Sequence, residues 1–276
     1  MRQATNKNKR KEYILQQLKE KDRISVAEIS RQFGCSEVTA RTDIRELDAE
    51  GLVKRNYGGA ARIEPKENKE LVGLASDDVR YAQVSLPFAI GKYYLNREEK
   101  YRIAAKAYEY IVDQDTIMLD DSTTCCHLAQ YISKHSGKEI TVVTNSLFVA
   151  AVLSNTDHVN TYILGGHVLA KPAAAMDNLT AETLENYHVS KLFTGINRID
   201  LRVGLTSADA DHANVKKAMI SVSDEVYVLA DHTKFASCSL FTVCPVNQVH
   251  HIITDTKIDR GIVQMAFERG ISMDIV

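Results

Sequence analysis

Residues 25–51 read SVAEISRQFGCSEVTARTDIRELDAEG, and this stretch decides the architecture of the front of the chain. Ser25-Val26-Ala27-Glu28 is a capping box: the Ser25 hydroxyl takes the amide three residues on, while Glu28 reaches back. Val26, Ile29 and Phe33 follow at helical spacing, and Gly34 supplies a tight turn. Ser36 is the N-cap of a further helix whose buried stripe is Ala40, Ile44 and Leu47, and Gly51 ends it. Upstream, Ile14, Leu15 and Leu18 give an apolar face to a helix from about Lys9 to Glu20. Three short helices with this turn make a helix-turn-helix. Downstream, Leu52 to Arg55 and Ala60 to Ile63 flank the turn-rich Asn56-Tyr57-Gly58-Gly59, which reads as a hairpin, the wing.

The outward face of the third helix carries Glu37, Val38, Thr39, Arg41, Thr42 and Arg45. The second helix of such a motif enters the major groove by its N-terminal end, so base readers are sought among Glu37, Val38, Thr39, Arg41 and Thr42. Arg45, Lys54 and Arg55 fall where backbone phosphates would lie, and Ser36 where a helix N-terminus meets one. The alternative is a solvated face on which Arg41 and Arg45 pair with Glu37 and with Asp48 or Glu50. The hairpin and the local charge favour DNA. Residues 1–64 hold fourteen Lys and Arg against ten Asp and Glu, whereas the rest holds twenty against twenty-six. A basic head on an acidic body suits a phosphate-meeting domain joined to one that is not.

Within 276 residues, 45% hydrophobic and 25% charged, there is room for two folded units, which excludes disordered and fibrous classes. The polar, basic start from Met1 to Lys11 has no apolar signal core, and no apolar run is long enough to span a membrane, so a cytoplasmic location is expected. Cys35, Cys125, Cys126, Cys238 and Cys244 show neither zinc spacing nor a disulfide framework and read as reduced thiols. Cys125 and Cys126 open a helix, where a thiolate would be stabilised, although packing is the alternative role. His127, His167, His212, His232, His250 and His251 fit no ligand pattern, and no metal or cofactor is expected.

Residues 65–95, with Pro65 and Pro87 and no clear period, read as an interdomain connection between a 1–64 DNA-binding domain and a 96–276 sensing domain. Asn96-Arg97-Glu98-Glu99 resembles a capping box before a helix to about Ile111. Strands are expected at 116–119, 141–143, 161–164, 191–194, 226–230 and 251–254, and helices at 126–133, 146–153, 181–187, 214–221 and 259–269. That alternation makes an α/β domain with a largely parallel sheet covered on both faces. Polar segments sit where strands end: Asp120 to Thr124, Thr144-Asn145-Ser146, Gly165-Gly166, Gly195-Ile196-Asn197 and Asp231 to Lys234. The carboxyl ends of parallel strands share one edge, and ligands bind in the crevice there. Ser122, Thr123, Thr124 and Lys234 suit a phosphate; Asp120, Asn145 and Gly166 suit a polyol, with Ser146, Gly165, Asn197 and Lys216 completing the candidate set. The alternative makes Ser122 and Asn145 helix caps, Gly165-Gly166 a turn, and Asp231 with Lys234 a surface pair.

Arg10-x3-Ile14-x3-Leu18, Ser36-x2-Thr39-Ala40-Arg41-Thr42-Asp43-Ile44-x2-Leu47 and Gly51-Leu52-Val53-Lys54-Arg55-x-Tyr57-Gly58-Gly59-Ala60 together resemble the signature of DeoR-family bacterial regulators of sugar metabolism. The likeness continues through Asp120-x-Ser122-Thr123-Thr124, Val143-Thr144-Asn145-Ser146, Leu164-Gly165-Gly166, Phe193-Thr194-Gly195, Gly204-Leu205-Thr206, Lys216 near Met219, and Ala230 to Phe235. It implies a winged helix-turn-helix plus an effector domain similar to the sugar-phosphate isomerase and CoA-transferase fold, with a phosphorylated sugar as ligand. Thr42, Ser122, Arg198 and His212 depart from the family's usual residues. The implied function is a repressor of a carbohydrate operon, not an enzyme, that binds double-stranded operator DNA as a homo-oligomer. A sugar-phosphate isomerase using Asp120, Asp121, Lys216 and Lys234 is the runner-up, but a winged helix has no job in one.

Overall fold

A computed structural model describes residues 2–21, 23–49, 52–56, 58–61, 90–170, 172–235 and 237–276. The chain divides into two compact units, residues 1–78 and 79–276. The expected Gly51 helix stop, Tyr57, Arg62, Ile63 and most of the 65–95 connection lie outside the described residues.

In the first unit α1 (Arg2–Glu20), α2 (Val26–Phe33) and α3 (Glu37–Ala49) surround Ile14, Leu18, Ile29, Ala40, Ile44 and Leu47, all buried. Helix α1 starts well before the expected Lys9. The capping box forms: Glu28 N–H donates to Ser25 Oγ at 3.1 Å, and Ser25 N–H to Glu28 Oε2 at 2.7 Å. Gly34 closes α2 at φ +58°, a left-handed angle that costs glycine nothing sterically. Ser36 caps α3 through the Thr39 amide at 3.2 Å. The wing has a strand beyond those expected, β1 (Arg23–Ser25), which pairs with β3 (Gly59–Ala61), itself paired with β2 (Lys54–Asn56). Leu52 and Val53 stand outside β2, and Val53 is buried in the core instead. Three residues are too few for β1 to show a period.

One polar contact ties α1 to α3. Arg10 Nε donates to Asp43 Oδ2 at 2.6 Å and Nη2 to Oδ1 at 3.3 Å, and Asp43 is 1% exposed. This fork holds the rotation of α3 about its axis, because a carboxylate under the helix has one partner and one place to meet it.

The second unit is built on a seven-stranded parallel sheet of order β15-β14-β12-β9-β4-β5-β6: β4 (Thr116–Leu119), β5 (Ile140–Thr144), β6 (Val159–Ile163), β9 (Val189–Thr194), β12 (Ser223–Leu229), β14 (His251–Thr254) and β15 (Met273–Ile275). Successive residues face opposite cores. Ile117, Leu119, Val142, Phe193, Tyr227 and Ile253 join one cluster, while Met118, Val143, Leu192, Val226, Val228 and Ile252 join the other. Burial on both faces is why these strands read as continuous apolar runs. The first cluster is covered by α4 (Ile90–Tyr94), α5 (Arg97–Glu109), α6 (Thr123–Ser133) and α7 (Leu147–Leu153). The second is covered by α8 (Asn178–Leu184), α9 (Ala210–Ser221) and α10 (Arg260–Glu268). From β4 the chain builds outward to β5 and β6, then returns to β9 on the other side of β4 and builds outward again. The order therefore reverses between β4 and β9.

Several elements differ from the sequence-based expectation. Residues 90–94, assigned to the connection, form α4, and Tyr93 enters the core. Asn96 takes a left-handed conformation with no side-chain cap; its amide reaches Asp231 Oδ1 at 3.2 Å, and Glu99 pairs with Lys257, so the capping box expected there is wrong. Strands β7 (Val168–Leu169) and β8 (Ala174–Ala175) form a hairpin, and β10 (Arg198–Asp200), β11 (Gly204–Ser207) and β13 (Phe241–Cys244) a small antiparallel sheet, none of them expected.

Arg10→Met leaves Asp43 buried without its cation and is expected to destabilise the first unit by about 3 kcal/mol. Amide hydrogen exchange of α3 in the full-length chain reads the loss, and Asp43→Leu in the same chain should restore most of it. Unchanged exchange in the single variant would show that the pair does not hold the helix.

Candidate functional site

On α3 the outward residues are those the sequence singled out. Ser36, Glu37, Val38, Arg41, Thr42 and Arg45 are exposed, Thr39 is half-exposed, and Val38 is 73% exposed. Lys54 and Arg55 are exposed along β2. Arg41 does pair with Glu37, at 3.1 Å, but both side chains are more than half exposed. Such a pair is worth a few tenths of a kcal/mol, so a base edge can take Arg41 from Glu37 at little cost. Asp48 accepts the Arg55 amide at 2.9 Å, fixing the wing to α3 rather than neutralising Arg45. Thr42 Oγ1 donates to Val38 O at 2.9 Å, and Ser36 Oγ lies 2.9 Å from Thr39 Oγ1, so both hydroxyls are already oriented.

In the second unit the carboxyl ends of β4 and β9 meet at the reversal of strand order. Asp120, 0% exposed, joins them: Oδ1 accepts the Ser122 amide at 2.9 Å. Oδ2 accepts the Thr194 hydroxyl at 2.5 Å, the Gly195 amide at 2.9 Å and Lys216 Nζ from α9. Burial alone would raise the Asp120 pKa; the Lys216 charge and these donors outweigh it and lower it. Burial likewise opposes the Lys216 charge, and Asp120 with Asp121 reverses the sign and raises its pKa. Asp120 and Lys216 are buried against each other, and with Thr194 and Gly195 they hold the loops after β4 and β9 together.

Ser122 caps α6 through the Cys125 amide at 3.2 Å, leaving Thr123 and Thr124 in its first turn. The loop passes so close to β9 that a Cβ at Gly195 would run into Ser122 Cβ and Oγ. Asn145 is buried and donates to Ala175 O at 3.0 Å, and Ser146 caps α7 through Val149. Gly165 and Gly166 rest against Asp177 and Thr180, with Thr180 Oγ1 donating to Gly165 O at 3.0 Å. Asn197 is exposed and accepts the Ser207 hydroxyl at 3.2 Å. Cys125 and Cys126 are buried, and burial pushes both thiols well above their ordinary range, against the thiolate expectation.

Two lysines stand by Asp231. Lys234 is half-buried, and burial lowers its pKa, with Asp231 offsetting part of the effect. Lys100, on α5, was missed by the sequence reading; it is 3% exposed and donates to Lys92 O. Burial pushes its pKa down to about 8, aided by the charges of Lys234 and Lys92 and opposed by Asp231. Its only local signal was a lysine on an otherwise buried helix face.

A winged helix-turn-helix joined to an α/β unit with polar loops at its strand ends fits a DNA-binding regulator that carries its own sensor. Residues 10–66 match the model of the DeoR-like helix-turn-helix domain and residues 95–256 that of the DeoR C-terminal sensor domain. The chain belongs to the DeoR family of transcriptional regulators. It is 30% identical to the transcriptional repressor GlcR of Bacillus subtilis (strain 168), over 94% of this chain and 93% of that one. The lactose phosphotransferase system repressor of Lactococcus lactis subsp. lactis is 30% identical over 92% of each. The transcriptional regulator IolR of Bacillus subtilis (strain 168) is 28% identical over 91% of this chain and 92% of its own. Ribose 5-phosphate isomerase A from Neisseria gonorrhoeae aligns over 50% of this chain and 53% of its own, with 21% identity and a TM-score of 0.37, too distant a likeness to carry weight. Among the described residues no helix is long and apolar enough to cross a membrane.

Asp120→Asn leaves Lys216 buried without its counter-charge and is expected to cost about 3 kcal/mol near neutral pH. The pH dependence follows from the two shifts. The depressed Asp120 pKa contributes stability above its ordinary 3.8 that is lost as pH falls below that value. The raised Lys216 pKa contributes stability below its ordinary 10.5 that is lost as pH rises beyond it. Denaturant titrations from acid to alkaline pH should show the deficit of Asp120→Asn largest between these limits and shrinking outside them. A deficit independent of pH would show that the charges are not its source.

Proposed function

We propose that the chain is a cytoplasmic repressor of a carbohydrate uptake or catabolism operon, that it binds operator DNA as a dimer or higher oligomer, and that a phosphorylated sugar or sugar alcohol in the second unit's crevice controls it. The observation that carries the effector half is the buried Lys100, bonded to Lys92 O, with the half-buried Lys234 and Asp231 acting on its charge. A buried ammonium group that a neighbouring ammonium repels gains from a bound anion. The first turn of α6 offers amides to the same anion, and Thr123 and Thr124 add hydroxyls. Asn145, Gly166 and Asn197 lie on the loops that complete the edge, where hydroxyls of a sugar would meet them. Nothing in this arrangement requires a reaction: Asp120 and Lys216, the acid and base an isomerase would need, are tied to each other. The names of GlcR and of the lactose phosphotransferase system repressor support a sugar-linked operon.

The exposed face of α3 supports operator reading. A single recognition helix covers too few base pairs for a specific site, which is the reason for proposing more than one copy. Arg41→Ala should lose about 1 to 3 kcal/mol of discrimination between operator and random duplex, while Arg55→Ala weakens both alike. Fluorescence anisotropy with the duplex upstream of the protein's own gene, at two salt concentrations, separates the two. Equal losses on both duplexes for Arg41→Ala would remove it from the base-reading set.

Lys234→Ala should blunt the operator's response to the tightest-binding sugar phosphate by about tenfold, one charge-assisted contact. An anion beside Lys100 raises its pKa from about 8, so binding above pH 8 takes up a proton and affinity falls as pH rises. Calorimetry at pH 8.5 in buffers of different ionisation enthalpy reads that uptake. A normal response in Lys234→Ala, or an equal response to the unphosphorylated sugar, would place the phosphate elsewhere.

A further inference from the structure

Asp120 and Asp121 are neighbours in sequence with opposite standing in the fold. Both oxygens of Asp120 are filled by protein donors. The Asp121 side chain is 7% exposed; its Oδ2 faces His212 Nε2 at 3.6 Å, and its Oδ1 lies 3.9 Å from Lys216 Nζ. That Oδ1 is buried and accepts no hydrogen bond from any described residue. Asn145, 0% exposed, repeats the pattern on the next strand: its Nδ2 is used by Ala175 O, and its Oδ1 is buried without a partner. Leu119 pairs with Thr144, so the chain leaves both strands at one level, about 4.8 Å apart. Two buried acceptors at one edge of the sheet are costly unless donors reach them.

His212 and Lys216 both face Asp121. His212 stands between Asp121 and Asp209, and these carboxylates, Asp121 first, raise its pKa against burial and the Lys216 charge. Lys216 supplies a further cation. A carboxylate oxygen and an amide oxygen both accept hydrogen bonds from O–H or N–H groups and offer nothing to another acceptor.

We propose that Asp121 and Asn145 are the residues that read the effector's hydroxyl groups, and that the effector is a polyhydroxy phosphate donating two hydroxyls to them. Asp120 is a positioning residue. The assignment rests on the effector reading of the crevice and adds to it the residue and the ligand chemistry that select among anions. Both oxygens are shielded from solvent, so ligand hydroxyls reach them only as the surrounding loops part, which couples recognition to loop movement.

The test is calorimetric titration of the full-length chain with ribose 5-phosphate, ribitol 5-phosphate, glucose 6-phosphate, sorbitol 6-phosphate and inorganic phosphate. In the wild type at least one polyhydroxy phosphate should bind more tightly than inorganic phosphate by about tenfold or more. Asp121→Asn and Asn145→Ser should each collapse that ratio. His212→Gln, which loosens Asp121 from α9 and keeps its carboxylate, should retain most of it. If Asp121 only pins α9, Asp121→Asn and His212→Gln will change stability alike and leave the ratio intact, and the proposal is overturned. If no sugar phosphate outbinds inorganic phosphate on the wild type, the effector reading itself fails and takes this assignment with it. Should Asp121→Asn fail to fold, Asp121→Ser carries the same comparison.

Discussion

The carboxylate of Asp120 spans the place where the parallel sheet reverses its order, and that span holds the loops after β4 and β9 together. One oxygen gathers the hydroxyl of Thr194, the amide of Gly195 and the ammonium of Lys216, while the other turns the chain into the Ser122 cap. Elements up to 96 residues apart in sequence meet on one group. Without it, the loops after β4 and β9 would lose the group that draws them together, and the buried Lys216 ammonium would lose its nearer carboxylate. The residues most conspicuous in the motif are thus its scaffold.

A similar division holds in the first unit. Arg10 and Asp43 lie beneath α3 and orient it, whereas Arg41 and Glu37 lie on top in a pair that solvent screens. Interactions that fix geometry are buried and forked; those available to a partner are exposed and weak. This is the distribution that reading DNA requires, because a side chain firmly engaged within the protein has nothing to offer a base edge.

Charge around the crevice is distributed in the opposite sense. Lys100 and Lys234 are held where burial disfavours their charge, with Asp231 too little to compensate. A site kept short of negative charge gains strongly from an anion, and a ligand with differential affinity for two states of a protein is what any regulator needs.

Much of what is local was legible in the chain. The Ser25 box, the Gly34 turn, the Ser36 and Ser122 caps and the central strands all rest on contacts within about four residues or on apolar runs, whereas the cap of α7 falls on Ser146 and not on Asn145. The exposed face of α3 followed from its periodicity. Tertiary structure decided the rest, because it pairs groups far apart in sequence. Asn96 and Glu99 carried the pattern of a capping box and were drawn instead to Asp231 and Lys257. Lys100 is buried by tertiary packing, with its ammonium donating to Lys92 O. The strands of the small antiparallel sheet were too short to show a period. Most plainly, the sequence singled out Asp120 over its neighbour, and the fold fills both oxygens of Asp120 while leaving Asp121 Oδ1 without a hydrogen-bond donor among the described residues, since which acceptors are filled depends on donors that chain topology alone brings near.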